Sequence, residues 1–232
     1  MRKNILCKVL PHKALYHSLT GEFKRKNGDF VYVEQLKDEN IMVMTLADGS
    51  ADCPCDWLSS RTVCLSFLRQ FKELAHEIPI MELRIHQSIL QANYALQKIT
   101  GHCKGGRSSL TALVWQVGHT YVHVLNVGNP HSYHYQKGSL KRLATKASHS
   151  KDDLLGNESP TISLKTLSFE ENEAVVLATS GFQATRGVLF KDDLNYMLEA
   201  KDPSSRFFKL MNMYSVCNVD DASMMVLKHL PQ

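Results

Sequence analysis

The sequence has no run of about 20 uncharged apolar residues, so it offers no membrane-spanning helix. Met1-Arg2-Lys3-Asn4-Ile5-Leu6-Cys7 leads into no apolar leader core before His12 and Lys13 interrupt it, which sets the expectation of a cytoplasmic chain with no membrane attachment. An excess of one charge is also missing. The 27 basic and 23 acidic side chains are mixed along the chain, and a net charge of +4 without a basic tail or stripe argues against nucleic acid as a partner. There is no internal repeat, and the glycine-rich segment 101–106 lacks the GxxxxGK[ST] arrangement of a phosphate-cradling loop. Cysteine is sparse: Cys7, Cys53, Cys55, Cys64, Cys103 and Cys217 are scattered, a pattern of reduced thiols and not of a disulfide framework. Only Cys53-Pro54-Cys55 is locally paired; a CxC this near an acidic loop could bind metal, though zinc sites usually add a second pair or histidines at defined spacing.

A hydrophobic content of 44% over 232 residues suits one domain with a sizeable core, read here as 1–232. Strand-like runs at 14–19, 30–35 and 41–47 are separated by Asn27-Gly28-Asp29 and Asp38-Glu39-Asn40. Two helical stretches follow, one with Val63, Phe67, Phe71, Leu74 and Ile78 on a face, the other with Ile85, Ile89, Ala92, Leu96 and Ile99, with Pro79 between them. Strands return at 109–117, 121–127 and 132–136, with Gly118-His119 as a hairpin turn. The polar segment 144–160 reads as a surface loop or small flap with no core of its own. Strands at 162–167 and 174–179, helices at 192–199 and 204–214, and a strand at 222–230 complete the order. Clustered strands with paired helices predict an α+β fold of antiparallel sheets covered by helices. His119, His123, His131 and His134 are unevenly spaced and read as surface or half-buried residues, and Met211, Met213, Met224 and Met225 as core filler.

Acids stand where strands end. Asp48-Gly49 follows the apolar run 41–47, Asp220-Asp221 precedes 222–227, and Asp29 precedes Phe30. Carboxylates from strand ends that converge in one cleft repel one another unless a divalent cation compensates them, and hard oxygen donors favour Mg²⁺ or Mn²⁺. Taken one at a time, Asp-Gly after a strand is as readily a turn, and Asp-Asp before a strand a cap.

The order of these motifs resembles the protein phosphatase 2C (PPM-type) family over nearly the whole chain. Gly21-Glu22-Phe23-Lys24-Arg25-Lys26-Asn27-Gly28-Asp29 is similar to the family's G-x-x-R-x-x-N-E-D opening, and Leu46-Ala47-Asp48-Gly49-Ser50 to its V-A-D-G-x-G. Gly106-Arg107-Ser108-Ser109-Leu110-Thr111-Ala112 is similar to the G-G-S-T-A strand, and Val124-Leu125-Asn126-Val127-Gly128-Asn129-Pro130 to V-A-N-V-G-D-S. Ala178-Thr179-Ser180-Gly181-Phe182 is similar to the T-D-G turn, and Val219-Asp220-Asp221-Ala222-Ser223 to D-N-I-T or D-D-I-T. The resemblance implies a four-layer α-β-β-α sandwich holding two Mg²⁺ or Mn²⁺ ions, with a metal-activated water that hydrolyses phosphoserine or phosphothreonine. It further implies a phosphorylated protein as substrate and a cognate Ser/Thr kinase as a functional partner. In that scheme Asp48 bridges both metals, the Gly49 carbonyl binds one, Asp220 holds the other, and Asp29 orients the water. Lys24 stands at the position of the family's phosphate-binding arginine, with Arg25 beside it as a substitute for the bidentate fork that lysine lacks.

Three family acids are replaced. Gly28 stands for a glutamate, Ser180 for the T-D-G aspartate, and Asn129 for the aspartate associated with a third metal. Each replacement removes a full charge from the metal site, so two readings stay open: a phosphatase with weakened metal binding, or a pseudophosphatase that binds phosphoproteins or partner domains.

Overall fold

Among the residues described by the computed structural model (5–9, 12–22, 24–53, 55–128, 130–143, 153–182, 189–216 and 220–230), the strands sort into two antiparallel sheets. In chain order they are β1 (Ile5–Val9), β2 (His12–Leu19), β3 (Asp29–Leu36), β4 (Ile41–Gly49), β5 (Ser108–Gln116), β6 (Tyr121–Val127), β7 (His131–Gln136), β8 (Ser139–Arg142), β9 (Ile162–Ser168), β10 (Ala174–Ala178) and β11 (Ala222–Lys228). One sheet runs β1-β2-β11-β10-β7-β8 and the other β3-β4-β5-β6-β9. Helices α1 (Asp56–Glu73) and α2 (Met81–Gln97) cover the second sheet; α3 (Leu189–Leu198) and α4 (Pro203–Val216) cover the first.

The layering follows from period-two alternation, because successive side chains of a strand point to opposite faces. In β4, Ile41, Val43 and Ala47 pack under α1 and α2, while Met42, Met44 and Leu46 fill the space between the sheets. In β11, Met224 and Val226 meet α3 and α4, while Met225 and Leu227 join the same central layer. A strand buried on both faces reads as a continuous apolar run, which is how Ala222-Ser223-Met224-Met225-Val226-Leu227 appears. On α1, Val63, Phe67 and Phe71 recur at four-residue spacing and are fully buried, as are Ile85, Ile89 and Ala92 on α2. The expected α-β-β-α sandwich is the observed architecture. No helix among the described residues is long and apolar enough to cross a membrane.

Several expectations need correction. Strands β1 and β8 appear where no strand was read; β8 is only four residues, mostly polar, and takes its conformation from pairing with β7. Residues 144–152 of the expected flap lie outside the described residues. In the remainder, Leu155 is fully buried in the α1–α2 core, and its backbone exchanges hydrogen bonds with Ser108 (2.9 and 3.1 Å). His123, His131 and His134 are buried, because both faces of their strands are covered, one by helices and the other by the facing sheet; His134 Nε2 lies 3.1 Å from Glu173. Met213 is exposed, on the outer face of α4. Cys55 and Cys103 are joined in a disulfide with Cα atoms 5.3 Å apart. Their 48-residue separation hides the pairing in the sequence, but it spans the antiparallel α1–α2 pair, which returns the chain to its starting point.

Candidate metal centre

Pairing register brings the acids to one sheet edge. Antiparallel β3 and β4 set Asp29 opposite Asp48, and β4 and β5 set Asp48 opposite Ser109. The ends of β10 and β11 add Thr179, Ser180, Asp220 and Asp221 from the facing sheet.

Two of the acids are interior. Asp221 is only 3% exposed; its carboxylate accepts the amides of Gly21 (2.9 Å) and Gly28 (2.7 Å) and the Lys24 ammonium (2.9 Å). It thereby pins both ends of the 21–28 loop. Asp29 is buried behind Asp48, its Oδ2 accepting the Thr179 hydroxyl at 2.9 Å and its Oδ1 having no hydrogen-bond partner. Burial raises its pKa well above the usual carboxylate value, the Asp48 charge adds to the rise, and the nearby hydroxyls of Ser223 and Thr179 oppose it.

The outer acids face a cleft of about 230 Å³ lined by Lys24, Asp48, Gly49, Ser109, Ser180 and Asp220 among others. Burial, and then the Asp220 charge, push the Asp48 carboxyl up to about 6; hydrogen bonding from Ser180 (3.2 Å) and the Lys24 charge pull the other way. The Lys24 ammonium bridges Asp220 Oδ1 (2.5 Å) and Asp221 Oδ2 (2.9 Å). Burial lowers the Lys24 pKa, but the two carboxylates outweigh it and hold the group above its ordinary value. Gly49 is required by close approach: a Cβ there would stand 2.1 Å from the Asp56 backbone oxygen at the start of α1.

Of the residues singled out in the sequence, Lys24, Asp48, Gly49 and Asp220 meet in the cleft, and Asp29 lies directly behind it. Arg25 is exposed and does not line the cleft. Asn129 lies outside the described residues. A Cβ on Gly28 would stand 2.8 Å from an Asp56 carboxylate oxygen and 3.1 Å from one of Asp221, so that corner already holds two carboxylates without a glutamate. Among the acids near enough in sequence to offset Ser180, Asp221 is engaged by the 21–28 loop, Asp56 borders Gly28, and Asp52 is exposed. The part of Asp221 in fastening the loop was not anticipated. The one signal for it is the doubled acid, which cannot say which member turns inward.

These residues fit a hard divalent cation. Asp48, Asp220 and the Gly49 carbonyl supply oxygen donors of the type Mg²⁺ and Mn²⁺ take, burial and then the Asp220 charge disfavour an ionised Asp48 without a cation, and Asp29 Oδ1 is a buried acceptor with no hydrogen-bond partner. Ser180 offers only a neutral oxygen, so the side facing Asp48 is one charge poorer than an all-carboxylate site.

Two antiparallel sheets between helix pairs, with acids gathered at one edge, is the fold of the PPM-type serine/threonine phosphatases, and the chain has that fold. The catalytic domain of the serine/threonine protein phosphatase PstP, solved with two manganese ions, superposes with a TM-score of 0.74 at 13% identity, covering 95% of this chain and 99% of that one. The S. agalactiae serine/threonine phosphatase gives 0.74 at 14% identity over 94% and 99%. RsbX, solved with magnesium, gives 0.71 at 16% identity over 98% of both chains. No family model and no curated protein matches the sequence.

Proposed function

We propose that the chain is a metal-dependent protein phosphatase acting on phosphoserine or phosphothreonine. The observation that carries this reading is the Asp48–Asp220 pair at the cleft mouth, whose mutual repulsion a divalent cation would relieve. Asp48, Asp220 and the Gly49 carbonyl would hold Mg²⁺ or Mn²⁺, with a second ion sharing Asp48. Such ions supply a water of lowered pKa and charge for the phosphoryl oxygens during in-line displacement. Asp29, opposite Asp48 in the β3–β4 register and hydrogen-bonded by Thr179, would back that carboxylate from behind the cleft. Lys24 offers the substrate phosphate a point charge without the geometric selectivity of a guanidinium fork. The substrate class is a phosphorylated protein made by a cognate kinase.

A second reading, a phosphoprotein- or partner-binding pseudophosphatase, draws support from the Lys24 bridge to Asp220 and Asp221, which compensates part of the acid cluster from within, and from Ser180. Purified protein with millimolar Mn²⁺ is expected to hydrolyse p-nitrophenyl phosphate and a phosphothreonine peptide, with turnover abolished by Asp48→Asn. Absence of turnover in the unmodified protein, together with no gain from Ser180→Asp, would sink the enzyme reading in favour of the binding module.

A further inference from the structure

A second cluster of metal-ligating side chains lies outside the acidic cleft, and nothing in the proposed phosphatase chemistry uses it. The thiol sulfurs of Cys55 and Cys103 and a ring nitrogen of His102 all lie within 4.8 Å of one another. Cys55 and Cys103 are buried, 3% and 5% exposed, whereas His102 is exposed. Cys53, two residues before Cys55, carries a free, partly exposed thiol that donates to the Gly105 carbonyl at 3.4 Å, two residues beyond Cys103. Two short segments thus bring two sulfurs and an imidazole within ligand distance of one another, while the Cys53 thiol stands outside that group, on the Gly105 carbonyl of the same corner.

The backbone holds this corner in place without the disulfide. The Cys55 carbonyl caps α1, accepting the amides of Leu58 (3.1 Å) and Ser59 (3.0 Å) and the Ser59 hydroxyl (3.1 Å). The Cys53 amide is bonded to Ser50 (3.0 Å), and the short turn Gly101–Cys103 is closed by Lys104 N to Gly101 O (3.1 Å), with Gly101 at φ +71° where a side chain would be strained. Opening the sulfur–sulfur bond therefore leaves the two thiols as neighbours. Three cysteines and one histidine are the donor set of a structural zinc site, in which thiolates sharing the ion stand about 3.8 Å apart, the spacing set by Zn–S bonds near 2.3 Å in a tetrahedron.

We propose that this corner is a thiol-switched zinc site: Cys55 and Cys103 form a disulfide under oxidising conditions, and on reduction they bind Zn²⁺ together with His102 and Cys53. A dithiol reductant transfers two electrons and two protons to the Cys55–Cys103 bond and leaves as its own disulfide. Zn²⁺ then displaces the protons of the three cysteine thiols, while His102 binds through a neutral nitrogen. Either closure ties the segment that follows Gly49 to the entry of β5, where Ser50 N already meets Arg107 O at 2.9 Å. The inference is independent of whether the acidic cleft is catalytic.

The test is metal uptake by the full chain. Protein reduced with a phosphine under argon and titrated with Zn²⁺ against a chromophoric chelator is expected to take up one tightly held ion, and diamide-oxidised protein to lack that uptake. Co²⁺ in place of Zn²⁺ should give the thiolate charge-transfer absorption that carboxylate sites do not show, a readout on the unmodified protein. His102→Ala, at an exposed position with little folding risk, should weaken binding by at least about 10 to 100-fold, the range typical even of less direct metal-site changes. The Cys55→Ser/Cys103→Ser double variant should lose the ion. Cobalt spectra without thiolate absorption, uptake undiminished in the double serine variant, or loss of the tight zinc in Asp48→Asn would each overturn the proposal.

Discussion

The floor and the mouth of the acidic cleft are made of the same residue type in opposite circumstances. At the floor, Asp221 is buried and met by two backbone amides and an ammonium. At the mouth, Asp48 and Asp220 face each other across open space with only Ser180 and one lysine to offset them. Removing a partner from a buried, fully engaged charge costs far more stability than removing an exposed charge. The floor is thus the part that fastens the structure, and the mouth the part free to bind.

The contrast is broken most sharply by treating the adjacent acids separately. Asp221→Ala should cost about 2–4 kcal/mol in denaturant unfolding, since it strands the Gly21 and Gly28 amides and leaves Lys24 with Asp220 alone. Asp220→Ala should stay within about 0.5 kcal/mol of the parent while abolishing Mn²⁺ binding in calorimetric titration. If both variants lose stability alike, the division between floor and mouth is wrong.

Ser180→Asp sharpens the mouth. The new carboxylate would sit where a hydroxyl now touches Asp48, so Mn²⁺ affinity should rise by about 10 to 100-fold while metal-free stability falls, because one more negative charge enters an uncompensated cluster. Calorimetry and thermal melts in chelator check the two halves.

A proton does the same job as a cation at that mouth. The folded protein holds the Asp48 proton up to about pH 6, whereas a free aspartate releases it near 3.8. Between these values the folded state binds more protons than the unfolded one, so stability falls as pH rises through the window, and the buried Asp29 pushes in the same direction. Metal-free protein is therefore expected to be more stable at pH 5 than at pH 7, by about 1 kcal/mol after allowing for the cleft's openness. Asp48→Asn should flatten that slope, and a slope of the reverse sign would show that the mouth is already compensated. Arg25→Ala gives the smallest effect, within about two-fold in kcat/KM, as befits an exposed side chain outside the cleft lining.

How far the sequence could be read follows the same division between local and distant determinants. The hairpins β3–β4 and β5–β6 were legible because alternation and turn residues such as Gly118, at φ +93°, are local signals. The inward histidines were not, since alternation alone does not say which face of a strand is covered on both sides. Lys24, Asp48, Gly49 and Asp220 were legible as an ordered set of motifs, while Asp221's grip on Gly21 and Gly28 and the Cys55–Cys103 bond are contacts between residues far apart in the chain with no local trace.

The bond from Gly21 to Asp221 joins positions 200 residues apart, and that from Gly28 spans 193. During synthesis the loop carrying Lys24 leaves the ribosome long before the strand that fixes it, so both hairpins and both helices of the α1–α2 side can form while that loop still has nothing to hold. Contacts of such long sequence separation form late because loop-closure entropy must be met first. The acidic cleft is therefore among the last features to be assembled, and a nascent chain halted before Asp220 would carry the α1–α2 side of its core but not the two acids that the facing sheet brings to the cleft.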